Sequence, residues 1–570
     1  MNSKQRFRTR LVGIVVLIFA GVLASSLYST SVLNSDRYSS RAKAQYTKPA
    51  VSLFARGNIY FQSKDGTQSA AASVGSGYLL YINPTLLSDP KGAYEALSNY
   101  VHVDKNVFMA KAKKTNDAYE EIANRLDEKI AMGIQGLGIK GVSVTQETWR
   151  EYPGGSLAAH ELGIIGQSTA TTSVTGRYGL ERFYDKTLGR EAAGNSGNMF
   201  AELFSGIGYV LGGSGESGNL VTTIEPTVEA YLEKILSQAQ TTWEPDEIGG
   251  IIMDPHTGEI YAMSSRPTFD PNDLRSIKSA AVLANSLVEH VYEMGSIMKP
   301  LSMAAALDSG AVRVASTYDD LGCMTLNEKK ICNFDQKARG VIPMQEILSQ
   351  SLNMGAATIA LKTGADDFVR YFNSFGIGTK SGIDLPNESM PLSANLKNPE
   401  DIDIATASYG QGIAISPIGM ARALSVLANG GYIITPHLVR HIERVDGTIM
   451  KLEWKKAGPV LKPQTVQDVK TMLVKVVDTA LAQGKLKKDR YSIAAKTGTA
   501  AIADHVNGGY YNDRWLHSFF GFFPAYDPKF IVFLYQIHPK GAKYASETLV
   551  KPFDDLATFL LNYYSIPPDR

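Results

Sequence analysis

The chain has 570 residues, 44% hydrophobic and 20% charged, with 57 basic against 56 acidic side chains for a formal charge of +1. That length exceeds one ordinary domain, and the composition is that of a globular protein. The balance of charge leaves no basic surplus for nucleic acid and no acidic surplus for a solvating tail.

Lys4, Arg6, Arg8 and Arg10 precede a run without charge, Leu11 to Ser35. Its apolar part is about long enough to cross a bilayer as a helix. The cations predict a cytoplasmic tail over 1–10 and an extracytoplasmic location for the chain beyond the apolar run. Ala24, Ser25 and Ser26 would also suit a cleaved signal peptide, but the length of the uncharged run favours a retained single-pass anchor over 11–33. Residues 34–55 then read as a juxtamembrane linker.

Within 56–218, Ser76 to Pro84 reads as a strand and Ala118 to Ile134 as one amphipathic helix. Ser88-Asp89-Pro90-Lys91 reads as a surface turn with no helix after it. The Gly- and Ser-rich interval from Gly194 to Gly218 reads as a linker, and a domain boundary is placed there. From Leu220 a strand leads into a long helix, and two strand-like runs meet at a turn over Asp254 to Gly258. A helix is expected from near Met344 to a glycine stop at Gly364. Ile493 to Ala500 and Lys529 to His538 are strand candidates. Val466, Val469, Leu473, Val476 and Ala480 recur at helical spacing, as do Phe553, Leu556, Phe559 and Leu560. Residues 219–570 therefore predict an α/β (α+β) domain, a sheet with helices on its faces.

Acyl transfer needs a nucleophile, a base and donors for an oxyanion. Ser296 and Lys299 stand three apart at a helix start, so they share one face and lie near free backbone N–H groups. Ser351-Leu352-Asn353 and Lys496-Thr497-Gly498 come later in the chain, the second in a small-residue strand suited to pairing with an extended peptide. Each motif has decoys: Ser88 to Lys91, Ser196 to Asn198, Ser217 to Asn219, and Lys362-Thr363-Gly364 at a helix end. Context separates the motifs from their decoys, and the ordered set is the one shared by penicillin-binding proteins and class A β-lactamases.

Cys323 and Cys332 are close enough to close a disulfide across a small hairpin, although two buried free thiols fit as well. The nine histidines show no metal-ligand spacing, and no cofactor is expected. Trp515 and His517 could line a cleft or pack the sheet. Tyr409 to Gly412 could border the site, with Gly410 and Gly412 serving a turn.

These segments resemble class B penicillin-binding proteins, the single-pass transpeptidases of bacterial elongation and division. Ala55 to Ile59 is similar to the opening motif of the family's pedestal (dimerisation-type) domain, and Gly176 to Glu191 to its later Gly-Leu-Glu element. Ile251 to Asn272 resembles the start of the transpeptidase core, and Tyr409 to Gly431 the family's Gly-Gln-Gly and Ala-Asn-Gly-Gly segments. Tyr60 to Gly66 departs from the usual Asp-Arg-x-Gly continuation, and Met294 replaces the usual proline before Gly295.

The resemblance implies a pedestal over 56–218 and a transpeptidase domain over 219–570. Ser296 would become an acyl-enzyme on the D-Ala-D-Ala end of a peptidoglycan stem peptide, resolved by an acceptor amine. Lys299 would be the base, its pKa lowered by burial beside Lys496. Ser351 would relay a proton, Asn353 would hold the substrate amide, and Lys496, Thr497, Gly498 and Thr499 would bind the terminal carboxylate. The N–H groups of Ser296 and Thr499 would form the oxyanion hole. β-Lactams are the implied covalent inhibitors, and a polytopic SEDS-type glycan polymerase within a division or elongation complex is the implied partner. The competing readings are a DD-carboxypeptidase or β-lactamase with the same residues, and a non-catalytic β-lactam sensor or scaffold.

Overall fold

A computed structural model describes residues 56–167, 174–189, 217–277, 279–504 and 506–570. The expected anchor, the linker over 34–55 and most of the Gly- and Ser-rich interval lie outside the described residues. Among the described residues no helix is long and apolar enough to cross a membrane. The chain divides into two compact units: residues 76–149 form the described part of one, and 56–75, 150–167, 174–189 and the described residues from 217 onward form that of the other.

In the smaller unit the strand that ends at Ile82 pairs antiparallel with Glu120–Leu126, Tyr78 lying opposite Leu126. Helices Pro90–Leu97, Lys105–Ala112 and Glu128–Gly136 accompany it, and Leu80, Ile82, Leu97, Phe108 and Ile134 form the core. The structure corrects two expectations in this unit. Ala118 to Ile134 is not one helix, because Glu120–Leu126 is drawn into the sheet, where pairing overrides helical spacing. Asp127 then starts a new helix, its carboxylate accepting from the Ile130 N–H at 2.8 Å. Ser88 to Lys91 does lead into a helix: Pro90 occupies its first turn and Asp89 caps it through the Gly92 N–H at 3.0 Å.

The larger unit is built on a five-stranded antiparallel sheet. Its order is Ala494–Ala503, Tyr510–Phe523, Phe530–Ile537, Glu247–Met253, Ile260–Arg266. Phe530–Ile537 is almost wholly apolar and buried, as a central strand covered on both sides must be. Gly249 and Gly250 show the covering directly, since a side chain on the first would meet Leu287 and on the second Leu232. Leu232 lies on helix Pro226–Trp243, which packs beside helix Val550–Tyr563 with Tyr231 and Phe559 stacked at 4.0 Å. The motif strand Ala494–Ala503 is an edge, as its small residues predict.

The helix expected from Met344 to Gly364 is two helices, Gln345–Ser349 and Asn353–Thr363. The break falls at Ser351, which adopts φ +57°; Gly364, at φ +81°, ends the second helix as expected. Cys323 and Cys332 form a disulfide, not free thiols, across the hairpin of Cys323–Leu326 with Lys329–Cys332.

The pedestal-like motifs meet inside the larger unit. Arg56 Nε donates to Glu181 Oε2 at 2.7 Å and Arg150 Nε to Glu181 Oε1 at 2.6 Å, with Arg56 Nη1 reaching Asp185 at 2.9 Å. Where Tyr60 to Gly66 departs from the family pattern, Arg440 donates to Gln62 Oε1 at 2.7 Å. Lys64 donates to the Tyr563 carbonyl at 2.6 Å.

Candidate active site

Ser296 sits in a short 3₁₀ turn, Gly295–Met298, that runs straight into helix Lys299–Asp308. Three glycines let this turn press against the motif strand. Gly295 is at φ +64°, and a Cβ there would lie 3.0 Å from the Thr499 carbonyl oxygen. A Cβ on Gly498 would lie 2.3 Å from Ser518 Oγ and 2.7 Å from the Met294 oxygen, which Ser518 Oγ itself bonds at 2.8 Å. A Cβ on Gly410 would strike the Gly295 oxygen at 2.3 Å, while the Gly295 N–H donates to the Gly410 carbonyl at 3.1 Å. The nucleophile turn is thus clamped between a strand and a loop by backbone contact, with no room for a methyl group.

Lys299 is fully buried. Its Nζ lies 2.9 Å from Ser296 Oγ, 2.6 Å from the Ser351 carbonyl, 2.8 Å from Asn353 Oδ1 and 3.2 Å from Ser351 Oγ. The hydrogen-bond valence fits a neutral amine. Ser351 O can only accept, and Asn353 presents Oδ1 because its Nδ2 donates to the Cys332 carbonyl at 3.1 Å. In the neutral amine those two oxygens take the two hydrogens and the lone pair faces the Ser296 hydroxyl. Burial, followed by the Lys496 charge, pushes the Lys299 pKa well below the ordinary lysine value.

Ser351 Oγ stands between the two lysines, 3.0 Å from Lys496 Nζ. Its left-handed backbone costs about 1–2 kcal/mol for a residue with a Cβ and turns its carbonyl and hydroxyl toward the same amine. Lys496 is buried, and burial pushes its pKa down to about 7. Thr497 and Thr499 are partly exposed on the same strand, and Thr499 Oγ1 accepts from the Ala545 N–H at 3.0 Å. Ser296 stands second in its helical turn, where its N–H has no partner within the turn.

All of Ser296, Lys299, Ser351, Asn353, Lys496, Thr497, Gly498 and Thr499 therefore lie around one locus or on the strand that borders it. Among the decoys, Ser88 and Lys91 belong to the smaller unit and are exposed, Lys362 is exposed on its helix, and Asn219 accepts from the Asn58 N–H at 2.9 Å. Ser196 to Asn198 is outside the described residues. His517 packs behind the strand, its ring held by Thr548 Oγ1 at 2.8 Å and the Lys543 carbonyl at 3.0 Å, with burial pulling its pKa to about 4. Gly410 is both a turn residue and a wall of the site. Ser518 and the Cys332 carbonyl are parts of the site that motif reading does not find. Neither has a sequence signal, since one acts through a cross-strand register and the other through its backbone. Among the described residues no group of three His, Cys, Asp or Glu side chains is arranged to hold a metal ion.

Residues 248–555 match the model of the penicillin-binding protein transpeptidase domain, and residues 54–196 that of the penicillin-binding protein dimerisation domain. Stage V sporulation protein D of Bacillus subtilis strain 168 is 26% identical over 558 residues, covering 95% of this chain and 83% of that protein. The probable peptidoglycan D,D-transpeptidase FtsI of Caulobacter vibrioides is 28% identical over 480 residues, covering 81% and 73%. Penicillin-binding protein 2X from Streptococcus thermophilus shares the fold with a TM-score of 0.72 at 20% identity, over 90% of this chain and 79% of that one. With its serine–lysine site on this sheet and both domains present, the chain belongs to the class B penicillin-binding protein transpeptidases.

Proposed function

We propose that this chain cross-links peptidoglycan stem peptides by acyl transfer through Ser296, and that β-lactams acylate the same hydroxyl. The observation that carries the reading is the Lys299 amine. It is buried, supplied with two acceptor oxygens and aimed at Ser296 Oγ at 2.9 Å.

In the first step Lys299 takes the Ser296 proton as Oγ attacks the penultimate D-Ala carbonyl. Ser296 and Thr499 offer backbone N–H groups to the oxyanion, each typically worth about 3 kcal/mol. The C–N bond then breaks, and the leaving D-Ala amine receives a proton through Ser351, which lies within hydrogen-bond distance of both lysines. Asn353 keeps Lys299 oriented and holds the substrate amide, while Lys496, Thr497, Gly498 and Thr499 cradle the terminal carboxylate. In the second step an amine from another stem peptide attacks the acyl-enzyme, Ser296 departs with its proton restored, and the cross-link remains.

Residues 11–33 would anchor the protein in the cytoplasmic membrane with the catalytic unit outside. There a polytopic SEDS-type glycan polymerase would supply strands within a division or elongation complex. The support for this part is the basic-then-apolar N-terminus and the family membership.

Ser296→Ala should abolish labelling by fluorescent penicillin and leave the melting curve in place, whereas Ser88→Ala should label as the parent does. Labelling that survives in Ser296→Ala refutes the assignment. Stem peptide offered with an amine acceptor should yield cross-linked product; release of the trimmed peptide alone would make the enzyme a carboxypeptidase.

A further inference from the structure

Helix Asn353–Thr363 begins on a residue that cannot cap it. Its N-cap is Leu352, which supplies no side-chain acceptor, yet the first N–H groups of a helix need partners. The partner comes from a different hairpin: Asn333 Oδ1 accepts from the Met354 N–H at 3.1 Å. The preceding residue supplies the Cys332 carbonyl to Asn353 Nδ2 at 3.1 Å. Adjacent residues 332 and 333 thus hold adjacent residues 353 and 354.

Asn333 is itself fixed on its other side. It is 2% exposed, and its Nδ2 donates to both oxygens of Asp320, at 2.9 and 3.0 Å, while its backbone N–H donates to the Gly322 carbonyl at 2.9 Å. Asp320 is fully buried, accepts from the Gly322 N–H at 3.0 Å and faces Arg339 at 3.6 Å. A closed polar network of this kind holds one geometry and loses it when a member is removed.

We propose that Asn333 is a positioning residue for catalysis. By anchoring the start of the 353–363 helix and the turn that presents the Cys332 carbonyl, it keeps the Asn353 amide with oxygen toward Lys299 and nitrogen away. Valence makes that orientation matter. With oxygen facing it, Lys299 spends a hydrogen on Asn353 and keeps its lone pair for Ser296. With nitrogen facing it, the amide N–H competes for that lone pair, and the base is blocked.

The inference rests on Lys299 as the base, and the test separates the two. The acylation rate of the full-length protein by fluorescent penicillin is measured from pH 5 to 9 in the parent, Asn333→Ala, Asn333→Ser and Asp320→Asn, each with its melting curve. The parent should show an acid limb as the buried neighbours Lys299 and Lys496 take up protons; a rate that instead rises toward acid pH refutes the base assignment itself. In Asn333→Ala the plateau should fall on the order of tenfold through misplacement of the reacting groups. Its acid limb should move to lower pH, because a lost acceptor no longer stabilises the ammonium form. Asn333→Ser, the gentler change in packing, should show the same displacement. Asp320→Asn, which retains an acceptor for Asn333 Nδ2, should keep the parental limb. A drop in rate with the limb unmoved in both Asn333 variants would reduce Asn333 to a fold residue, and parental kinetics in both would deny it any catalytic role.

Discussion

Two of the buried clusters of ionisable groups in the larger unit are built on opposite principles. Around Glu181, two arginines share one carboxylate, with Asp185 as a further partner to Arg56. Around Ser351 Oγ, two lysines face each other with no carboxylate among their hydrogen-bond partners. Buried charge must be paired or neutralised. The first cluster is paired and serves structure. The second leaves Lys299 to shed its proton, and an amine without its proton is a base. The missing counter-ion, more than the lysine, makes the site.

The sharpest way to break that contrast is Lys299→Met. Acylation should fall by about 10²–10⁴-fold, the usual worth of a positioned base, without loss of melting temperature. A lysine depressed in the folded state binds fewer protons there than in the unfolded chain, so the parent gains stability as pH rises. The variant lacks that term. Its advantage should be greatest below the depressed folded value and disappear by about pH 10.4, the unfolded lysine value. Thermal melts of both proteins from pH 6 to 10 check the sign.

Glu181→Ala should do the reverse. Stranding Arg56 and Arg150 costs about 3–5 kcal/mol, seen in denaturant titration, while the folded fraction acylates at the parental rate. Gly498→Ala tests the backbone clamp. The new methyl must displace Ser518 or the Met294 carbonyl, and acylation should drop on the order of a hundredfold through ångström-scale misplacement. Lys362→Ala and Ser88→Ala should change labelling within about twofold, as exposed substitutions do. A large effect from either would put chemistry outside the two-lysine cluster.

Much of the site was legible because its motifs are local. Ser296 with Lys299 needs only one helical turn, and Ile493 to Ala500 announces an edge strand by its small residues. What escaped was set at long range. Ala118 to Ile134 has helical spacing along its whole length, yet Tyr78 to Ile82 pairs with its first half and makes it a strand. The break at Ser351 is invisible locally, because the left-handed serine is supported by its carbonyl's contact with Lys299, 52 residues away. Asn333, twenty-one residues before Met354, has no motif of its own. Ser88 to Lys91 shows the converse: the expectation of a plain surface turn missed a helix that Pro90 and Asp89 begin.

The most direct measurement is the titration of Lys299 itself. It would be monitored by a carbon-13 label at lysine Cε and assigned by the resonance that disappears in Lys299→Met. A midpoint well below that of the exposed lysines is expected, in keeping with burial and the neighbouring Lys496. A Lys299 that titrates with them, near pH 10.4, would contradict the role of the missing counter-ion.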